Sequence, residues 1–190
     1  EQQLKLLFRQ DNDGNTALQW AAYEGRTETV KTLLDNLTPE QQLQLLFIQD
    51  RDGNTALHDA AGEGHTETVK TLLDNLTPEQ QLKLLFTQDN RYGRTALHHA
   101  AQRGHTETVK ILLNNLTPEL QLKLLSVLDI TGKTASQLAA ASKQKESGKM
   151  LRKYERDAVM EVNYGEWERY NVVTGKRVLN RLSLTVIVIC

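Results

Sequence analysis

The first pattern of apolar and polar positions along the chain is a short helical one. In the stretch TALQWAAYE, Leu18, Ala21 and Ala22 stand at positions i, i+3 and i+4, which places them on one face of a helix. Thr16 before them is a good N-cap, and Gly25 after them suits a helix end in the left-handed conformation. The pattern predicts a short helix whose small alanines let a neighbouring helix approach closely.

A second helical pattern follows in TETVKTLLDNL. Val30, Leu33 and Leu34 form one apolar stripe, and Thr27 at the start is expected to cap the helix. Both predicted helices are too short to be stable alone, and each is apolar on one side only. We therefore expect the pair to be buried by stacking against similar units.

A third pattern, LTPEQQLQLLF, completes the block. Residues 38–41 read TPEQ, with a threonine cap, a proline at the first helical position, and a glutamine three residues after the threonine, as in a capping box. Leu43, Leu46 and Phe47 then share one face. The sequence predicts a third short helix in each unit, and its uniformity from unit to unit favours a packing role.

The whole block recurs along the chain. Residues 11–49 and 50–88 differ at seven of 39 positions. The glycines of the repeated Gly-x-Thr-Ala element are 39, 40 and 39 residues apart, at Gly14, Gly53, Gly93 and Gly132. A period of this length indicates stacked repeats rather than one globular core.

The period divides the chain into repeats. The predicted segments are 1–10, the end of an upstream repeat; 11–49, 50–88 and 89–128, three full repeats; 129–156, a degenerate last repeat; and 157–190, a tail outside the repeat. The first segment is assigned in this way because EQQLKLLF repeats the end of the third pattern. In the last repeat Ser136 replaces a leucine and the second helix is rich in Lys and Glu, as a polar terminal cap requires.

The tail follows a different pattern. Val172-Val173, Thr174-Gly175 and Lys176-Arg177-Val178 predict a small β-hairpin. The final run, TVIVIC, is β-prone and uncharged, and it is much shorter than the roughly 20 apolar residues of a membrane span. Packing on the cap, pairing with another chain and the start of a further element remain open for this run.

These motifs together resemble the ankyrin repeat over about residues 9–156. The family's turn, Asp-x-x-Gly-x-Thr-Pro-Leu-His, appears as DNDGNTALQ, DRDGNTALH and, one residue longer, DNRYGRTALH; GHTETVKTLL and GHTETVKILL match the segment after it. Alanine replaces the family's proline, and Gln19 and Gln137 replace its histidine. The period exceeds the family's usual value of about 33 residues, and the third helix accounts for the excess.

The resemblance implies an all-α, ankyrin-type helical solenoid with about three helices per repeat. It also implies a noncatalytic module that binds another protein through the turn tips and first helices of a concave face. The near-identical repeats are similar in style to those of ankyrin-repeat proteins of intracellular bacteria, several of which act on host proteins. This similarity implies a cytoplasmic location, including delivery into a host cytosol, and it does not identify the partner.

Composition narrows the function classes. The 190 residues carry a net charge of −1 and are 39% hydrophobic and 5% aromatic. This balance gives no electrostatic footprint for nucleic acid, and nothing in the sequence points to a small-molecule substrate or a membrane. Cys190 is the single cysteine, so an intrachain disulfide is excluded and a reducing compartment is expected.

Motifs that suggest chemistry have simpler structural explanations. Gly132-Lys133-Thr134 resembles the end of a phosphate-binding loop, but Val127 stands where that motif needs glycine. The five histidines lack the cysteine pairing of zinc sites and an accompanying carboxylate set. In ankyrin repeats the turn histidine bonds near the threonine and the histidine after the glycine joins adjacent loops. We therefore expect no enzyme activity, no cofactor and no metal.

The positions at which near-identical repeats differ are the candidate binding residues. TETVK is the same in all three full repeats, whereas the turn tips and first helices vary. The predicted partner-binding residues are Asn12, Trp20, Tyr23, Arg26, Arg51, Asp59, Arg91, Tyr92, Arg94, His99, Gln102 and Arg103. Trp, Tyr and Arg dominate binding hot spots, so Trp20, Tyr23, Arg91 and Tyr92 are the strongest candidates. Neutral variation at tolerant surface positions is the alternative.

Two further function classes stay open from the sequence. An architectural spacer within a larger protein would bind no partner through this chain. Membrane association or self-assembly would depend on residues 182–190 and would be lost when those residues are deleted.

Overall fold

The computed structural model describes residues 6–74, 76–114 and 116–174. Within these ranges every regular element is an α-helix. The helices are α1 (Ala17–Tyr23), α2 (Thr27–Asp35), α3 (Pro39–Leu46), α4 (Ala56–Glu63), α5 (Thr66–Asp74), α6 (Pro78–Leu85), α7 (Ala96–Arg103), α8 (Thr106–Asn114), α9 (Pro118–Leu125), α10 (Ala135–Ala141) and α11 (Lys145–Thr174).

The helices stack in layers. The first helices of successive repeats, α1, α4, α7 and α10, pack against one another, and the second helices α2, α5 and α8 pack beside them, with α11 against α8. Leu57 and Leu97, in the first-helix layer, are each 1% exposed. Burial of such faces by neighbouring units is what holds a solenoid together. The prediction of an all-α helical solenoid is confirmed.

Local hydrogen bonds set the ends of the first helices. At α1 the Thr16 hydroxyl accepts from the Gln19 N–H at 3.3 Å, while the Gln19 side-chain oxygen accepts from the Thr16 N–H at 2.9 Å. This is the reciprocal capping box. Gly64 and Gly104 end α4 and α7 in the left-handed region, with φ of 78° and 85°. The predicted caps and glycine ends of these helices are confirmed.

Two glycines at the C-terminal end of α4 are expected to respond in opposite directions to substitution by alanine. Gly62→Ala should stabilise the protein by about 0.5–1 kcal/mol because Gly62 is helical and lacks a left-handed φ, and its added Cβ would meet only His99 Cβ at 3.7 Å. Gly64→Ala should cost about 1–3 kcal/mol, because its φ is +78° and the Cβ would collide with the His105 ring. Urea unfolding followed by circular dichroism measures the stability of both variants. Equal changes in the free energy of unfolding would contradict the backbone conformations described for the two glycines.

The second helices use their threonines to join repeats. Thr27 is the first residue of α2 and the N-cap is Arg26, without a side-chain bond, so the prediction that Thr27 caps this helix is wrong. Its hydroxyl instead hydrogen-bonds that of Thr68 in the next repeat, at 2.8 Å. The same link joins Thr66 to Thr108 at 3.3 Å. The constancy of TETVK therefore has a structural cause.

The third helices begin as predicted. Thr38 and Gln41 form a capping box around Pro39 at the start of α3. Gln42 donates its side-chain N–H to the Leu34 carbonyl at the end of α2, at 2.8 Å. This bond satisfies one of the carbonyls that a helix C-terminus leaves unpaired, and it ties the third helix to the second within each repeat.

The turn tips form a hydrogen-bonded row along the stack. Arg51 N donates to the Asp13 carbonyl at 3.0 Å, and Asn90 N donates to the Asp52 carbonyl at 2.8 Å. Each turn is therefore fixed to the one before it, which holds the side chains at the tips in register.

The last helix differs from the sequence expectation. Val172 and Val173, predicted as the first strand of a hairpin, lie in α11, so that part of the prediction is wrong. Ala158 packs with 2% exposure, and a helix anchored in this way extends at little further cost. Helix α11 crosses the boundary predicted between residues 156 and 157. The rest of the hairpin, from residue 175, lies outside the described residues, as does the run TVIVIC.

Candidate functional site

The predicted binding residues occupy the turns and first helices of three repeats. Turn tips carry Asn12, Arg51, Arg91 and Tyr92; first helices carry Trp20, Tyr23, Asp59, His99, Gln102 and Arg103; Arg26 follows α1 and Arg94 precedes α7. Two cavities bring eight of them together. Asn12, Arg26, Arg51 and Arg91 are exposed and line neither cavity.

The first cavity lies between the first and second repeats. Asn15, Gln19, Trp20, Tyr23 and Asp59 line it, and its volume is about 240 Å³. We call it the aromatic cavity. Its walls come from α1 and the turn before α1, and its acidic residue comes from α4.

The two rings of the aromatic cavity are held in place although they are exposed. Trp20 and Tyr23 are 48% and 44% exposed, and their ring centroids lie 6.0 Å apart in an edge-to-face arrangement. The Trp20 indole N–H donates to Asp11 Oδ2 at 2.8 Å. That hydrogen bond is the main reason why the pKa of Asp11 lies below its ordinary value. The rings are thus oriented before any partner arrives, which lowers the entropy cost of binding.

Asp59 is the unusual acid of this cavity. Burial, with smaller contributions from Asp50 and Glu63, raises the pKa of Asp59 to about 8. Its Oδ2 atom is buried and has no hydrogen-bond partner within the described part of the chain. An unsatisfied buried carboxyl oxygen costs on the order of 1–3 kcal/mol, so this residue opposes stability in the free protein.

The second cavity lies between the third repeat and the last one and has a larger volume than the first. Its volume is about 620 Å³, and its lining consists of Tyr92, Arg94, His99, Gln102, Arg103, Ser142 and Gln144. We call it the arginine cavity. The Arg94 guanidinium lies over the Tyr92 ring, 4.6 Å from its centroid, and donates to Gln102 Oε1 at 3.0 Å and to Asp129 Oδ2 at 3.4 Å.

The acids beside the arginine cavity are kept ionised by hydrogen bonds. Burial by itself would raise the pKa of Asp129, but hydrogen bonds from Thr131, Lys133 and Arg94 outweigh it and lower this pKa to about 2. The pKa of Asp89 is also lowered, because hydrogen bonds from His99 and Tyr92 outweigh burial. His99 Nε2 lies 2.8 Å from Asp89 Oδ2.

Two predicted binding arginines also connect repeats. Arg91 pairs with Asp52 at 3.2 Å, and Arg103 pairs with Glu63. Exposed pairs of this kind contribute about 0–1 kcal/mol, so they stabilise the stack weakly and leave the guanidinium groups open to a stronger acidic partner. A binding role for these residues stays a prediction.

The acidic partners of the site were not identified from the sequence. Comparing repeats picks out differences, whereas aspartate begins every turn and so escaped notice. A usable signal exists: Asp11 is followed nine residues later by Trp20, and Asp89 ten residues later by His99, and both pairs are hydrogen-bonded.

Family models match this combination of turns and helix pairs. A model for ankyrin repeats in three copies matches residues 2–83, and a model for ankyrin repeats in many copies matches residues 57–113. The chain belongs to the ankyrin-repeat family. A search of curated proteins found no match to this ankyrin-repeat chain.

The histidines of this ankyrin-repeat protein make the contacts that the family resemblance implied. His58 Nδ1 lies 2.9 Å from the Thr55 hydroxyl, and His65 Nε2 lies 2.9 Å from the Tyr23 carbonyl of the preceding repeat. Both rings therefore take part in packing. In residues 6–74, 76–114 and 116–174, no group of three or more His, Cys, Asp or Glu side chains is arranged to hold a metal ion.

A helix that crosses a bilayer needs about 20 predominantly apolar residues. None of the helices in the described ranges is both long and apolar enough to do so.

Proposed function

We propose that this ankyrin-repeat chain is a noncatalytic module that binds another protein through the first-helix face, meaning the aromatic cavity and the arginine cavity together. The observation that carries the proposal is the pair Trp20 and Tyr23, which are 48% and 44% exposed while an indole hydrogen bond to Asp11 fixes one of them. Oriented, exposed aromatic rings are typical binding anchors.

Constant and varied residues occupy different places within each repeat, and this supports the proposal. The constant residues are used in packing: Val30 and Val69 are fully buried, and Thr68 is 1% exposed. The varied residues on the turns and first helices present rings and charges to solvent instead. Ankyrin repeats generally mediate protein–protein interaction, and the family is typically noncatalytic.

Three finer features of the protein remain predictions from its sequence. Action on host proteins rests on similarity in repeat style and stays a prediction, as does a cytoplasmic location. The division into repeats at residues 49, 88 and 128 likewise stays a proposal.

The test compares three baits in a pull-down from cytosolic extract, read by quantitative mass spectrometry. The baits are the unmodified chain, a Trp20→Ala/Tyr23→Ala double variant, and a Val159→Ala/Met160→Ala control. Val159 and Met160 are also exposed, at 39% and 61%, but they lie on α11. We expect a protein that the first bait and the control enrich equally and that the double variant loses at least fivefold, since a hot-spot residue contributes more than about 1 kcal/mol.

Two controls are needed, one for the folding of the baits and one for direct binding. Circular dichroism and urea unfolding should show that all three baits are folded, and purified partner should reproduce the difference by isothermal titration. A partner that both double variants retain would contradict binding through the aromatic cavity. Recovery of no specific protein by any bait would favour the architectural spacer.

A further inference from the structure

The aromatic cavity exists because adjacent repeats carry side chains of different size at equivalent positions. The first repeat places Trp20 and Tyr23 where the second places Asp59 and Gly62. The large rings on α1 therefore line a cavity together with the smaller Asp59 of α4, and the volume of this cavity is about 240 Å³. Pockets for drug-sized ligands measure about 300–1,000 Å³, so this volume suits a single side-chain head group.

The floor of the cavity carries an unpaired acid. Asp59 Oδ2 is buried without a hydrogen-bond partner in the described part of the chain. Two acidic groups of its own repeat, Asp50 and Glu63, further raise the pKa of Asp59 by charge repulsion. No described cationic side chain forms an ion pair with Asp59.

The neighbouring helices supply no countercharge either. Helix α1 and the turn before it face Asp59 with uncharged side chains, those of Asn15, Gln19, Trp20 and Tyr23. Helix α7 packs on the other side of α4, and its His99 is bonded through Nε2 to the Asp89 carboxyl at 2.8 Å. The cavity therefore combines aromatic faces with a carboxyl group that has no cationic partner and one unsatisfied oxygen atom.

Resting on the proposed function, we propose that the aromatic cavity binds the guanidinium group of an arginine side chain on the partner protein, with Asp59 as its carboxylate acceptor and Trp20 and Tyr23 as its aromatic walls. A guanidinium is planar, stacks on aromatic rings and donates two parallel hydrogen bonds to one carboxylate. An ammonium group is compact and more strongly hydrated, so lysine fits the walls less well.

The proposal has a consequence for pH. Since the pKa of Asp59 is raised to about 8 by burial, the free protein holds this carboxyl mostly protonated at neutral pH. An arriving guanidinium favours the ionised form, so binding releases a proton. Affinity should therefore increase with pH up to about 8, by as much as about tenfold per pH unit.

The experiment titrates N-acetyl-arginine amide into the labelled chain and follows the Trp20 indole N–H in ¹H–¹⁵N spectra. The chain has two tryptophans, Trp20 and Trp167, and the Trp20→Phe spectrum identifies the Trp20 signal. We expect a saturable shift of that signal at millimolar probe. The uncharged isostere N-acetyl-citrulline amide and N-acetyl-lysine amide should each bind at least fivefold more weakly.

A matched variant tests the acid itself. Asp59→Asn keeps the shape of the side chain and removes its charge. It should lower the affinity for the arginine probe at least tenfold at pH 8 and abolish the pH dependence of that affinity between pH 6 and pH 8. Circular dichroism checks that it is folded. Equal affinity for arginine and citrulline probes, lysine binding as tight as arginine, or unchanged binding by Asp59→Asn would each overturn the proposal.

The outcome is separable from that of the pull-down. A partner that the Trp20→Ala/Tyr23→Ala bait loses and Asp59→Asn retains in full would overturn the arginine site while the proposed binding face stands. Binding of the arginine probe that requires Asp59, without any partner that depends on Trp20 and Tyr23, would support the cavity and contradict the proposed function.

Discussion

Leu97→Ala is expected to lower the free energy of unfolding by about 2–5 kcal/mol, the usual cost of removing a fully buried leucine side chain and leaving a void. Leu97 is 1% exposed and lies on α7, which packs against α4 on one side and α10 on the other. The void would therefore weaken two contacts between repeats at once. In a chain whose total stability follows the usual range of about 5–15 kcal/mol, such a loss is large.

The matched control for Leu97 is Leu128→Ala. Leu128 is 53% exposed, and surface substitutions usually change stability by less than about 0.5 kcal/mol. Both variants remove the same atoms, so urea unfolding followed at 222 nm isolates the effect of burial. Losses of similar size in the two variants would contradict the described core.

His58→Ala is expected to cost about 2–4 kcal/mol, because it leaves a void and removes hydrogen bonds on both sides of the ring. Nδ1 accepts from the Thr55 N–H at 3.2 Å, and Nε2 lies 3.1 Å from the carbonyls of Thr87 and Arg94. Since Nδ1 is an acceptor, Nε2 carries the proton and donates. The ring thus joins a helix start to the next repeat.

His58→Gln should recover most of that loss, to within about 1 kcal/mol of the original chain. The first repeat already contains this arrangement. Gln19 accepts from the Thr16 N–H with its side-chain oxygen and donates to the Asn54 carbonyl, both at 2.9 Å. If the glutamine variant is as unstable as the alanine variant, the hydrogen-bonding role assigned to the ring is wrong.

The same residue predicts a pH dependence. Burial, and secondly the charge of His99, lowers the pKa of His58 from 6.5 to about 4. The unfolded chain therefore binds a proton at higher pH than the folded one, and stability from the neutral ring is lost as pH falls from about 6.5 to about 4. His58→Gln should remove this contribution. Measured in steps across that window, the unfolding free energy of the original chain should start at most about 1 kcal/mol above that of His58→Gln and fall below it towards the acidic end.

Features held by local hydrogen bonds could be predicted from the sequence. One example is the capping box of Thr38 and Gln41, and another is the pair of left-handed glycines that end α4 and α7. Each depends on residues only a few positions apart, so a short stretch of sequence is enough to predict it. Together with the 39-residue period they were sufficient for the solenoid and its third helix.

Features that depend on the neighbouring repeat could not be predicted in this way. Thr27 looked like a cap, yet its hydroxyl bonds Thr68, 41 residues away. Asp59 was chosen because it varies, and nothing in the letters indicated that its carboxyl is buried without a partner. Val172 and Val173 have strand propensity, but a long helix anchored at Leu151 and Ala158 continues through them.

The row of hydrogen bonds between turn tips has an evolutionary consequence. Each link joins the same positions in neighbouring repeats, as Arg51 to Asp13 and Asn90 to Asp52, and the threonine links do the same. A repeat duplicated or deleted as a unit by recombination would therefore meet matching donors and acceptors on both sides. The varied residues on the turns and first helices belong to the same unit. Exchange of whole repeats would therefore change the contact surface of the protein and keep the hydrogen bonds between repeats.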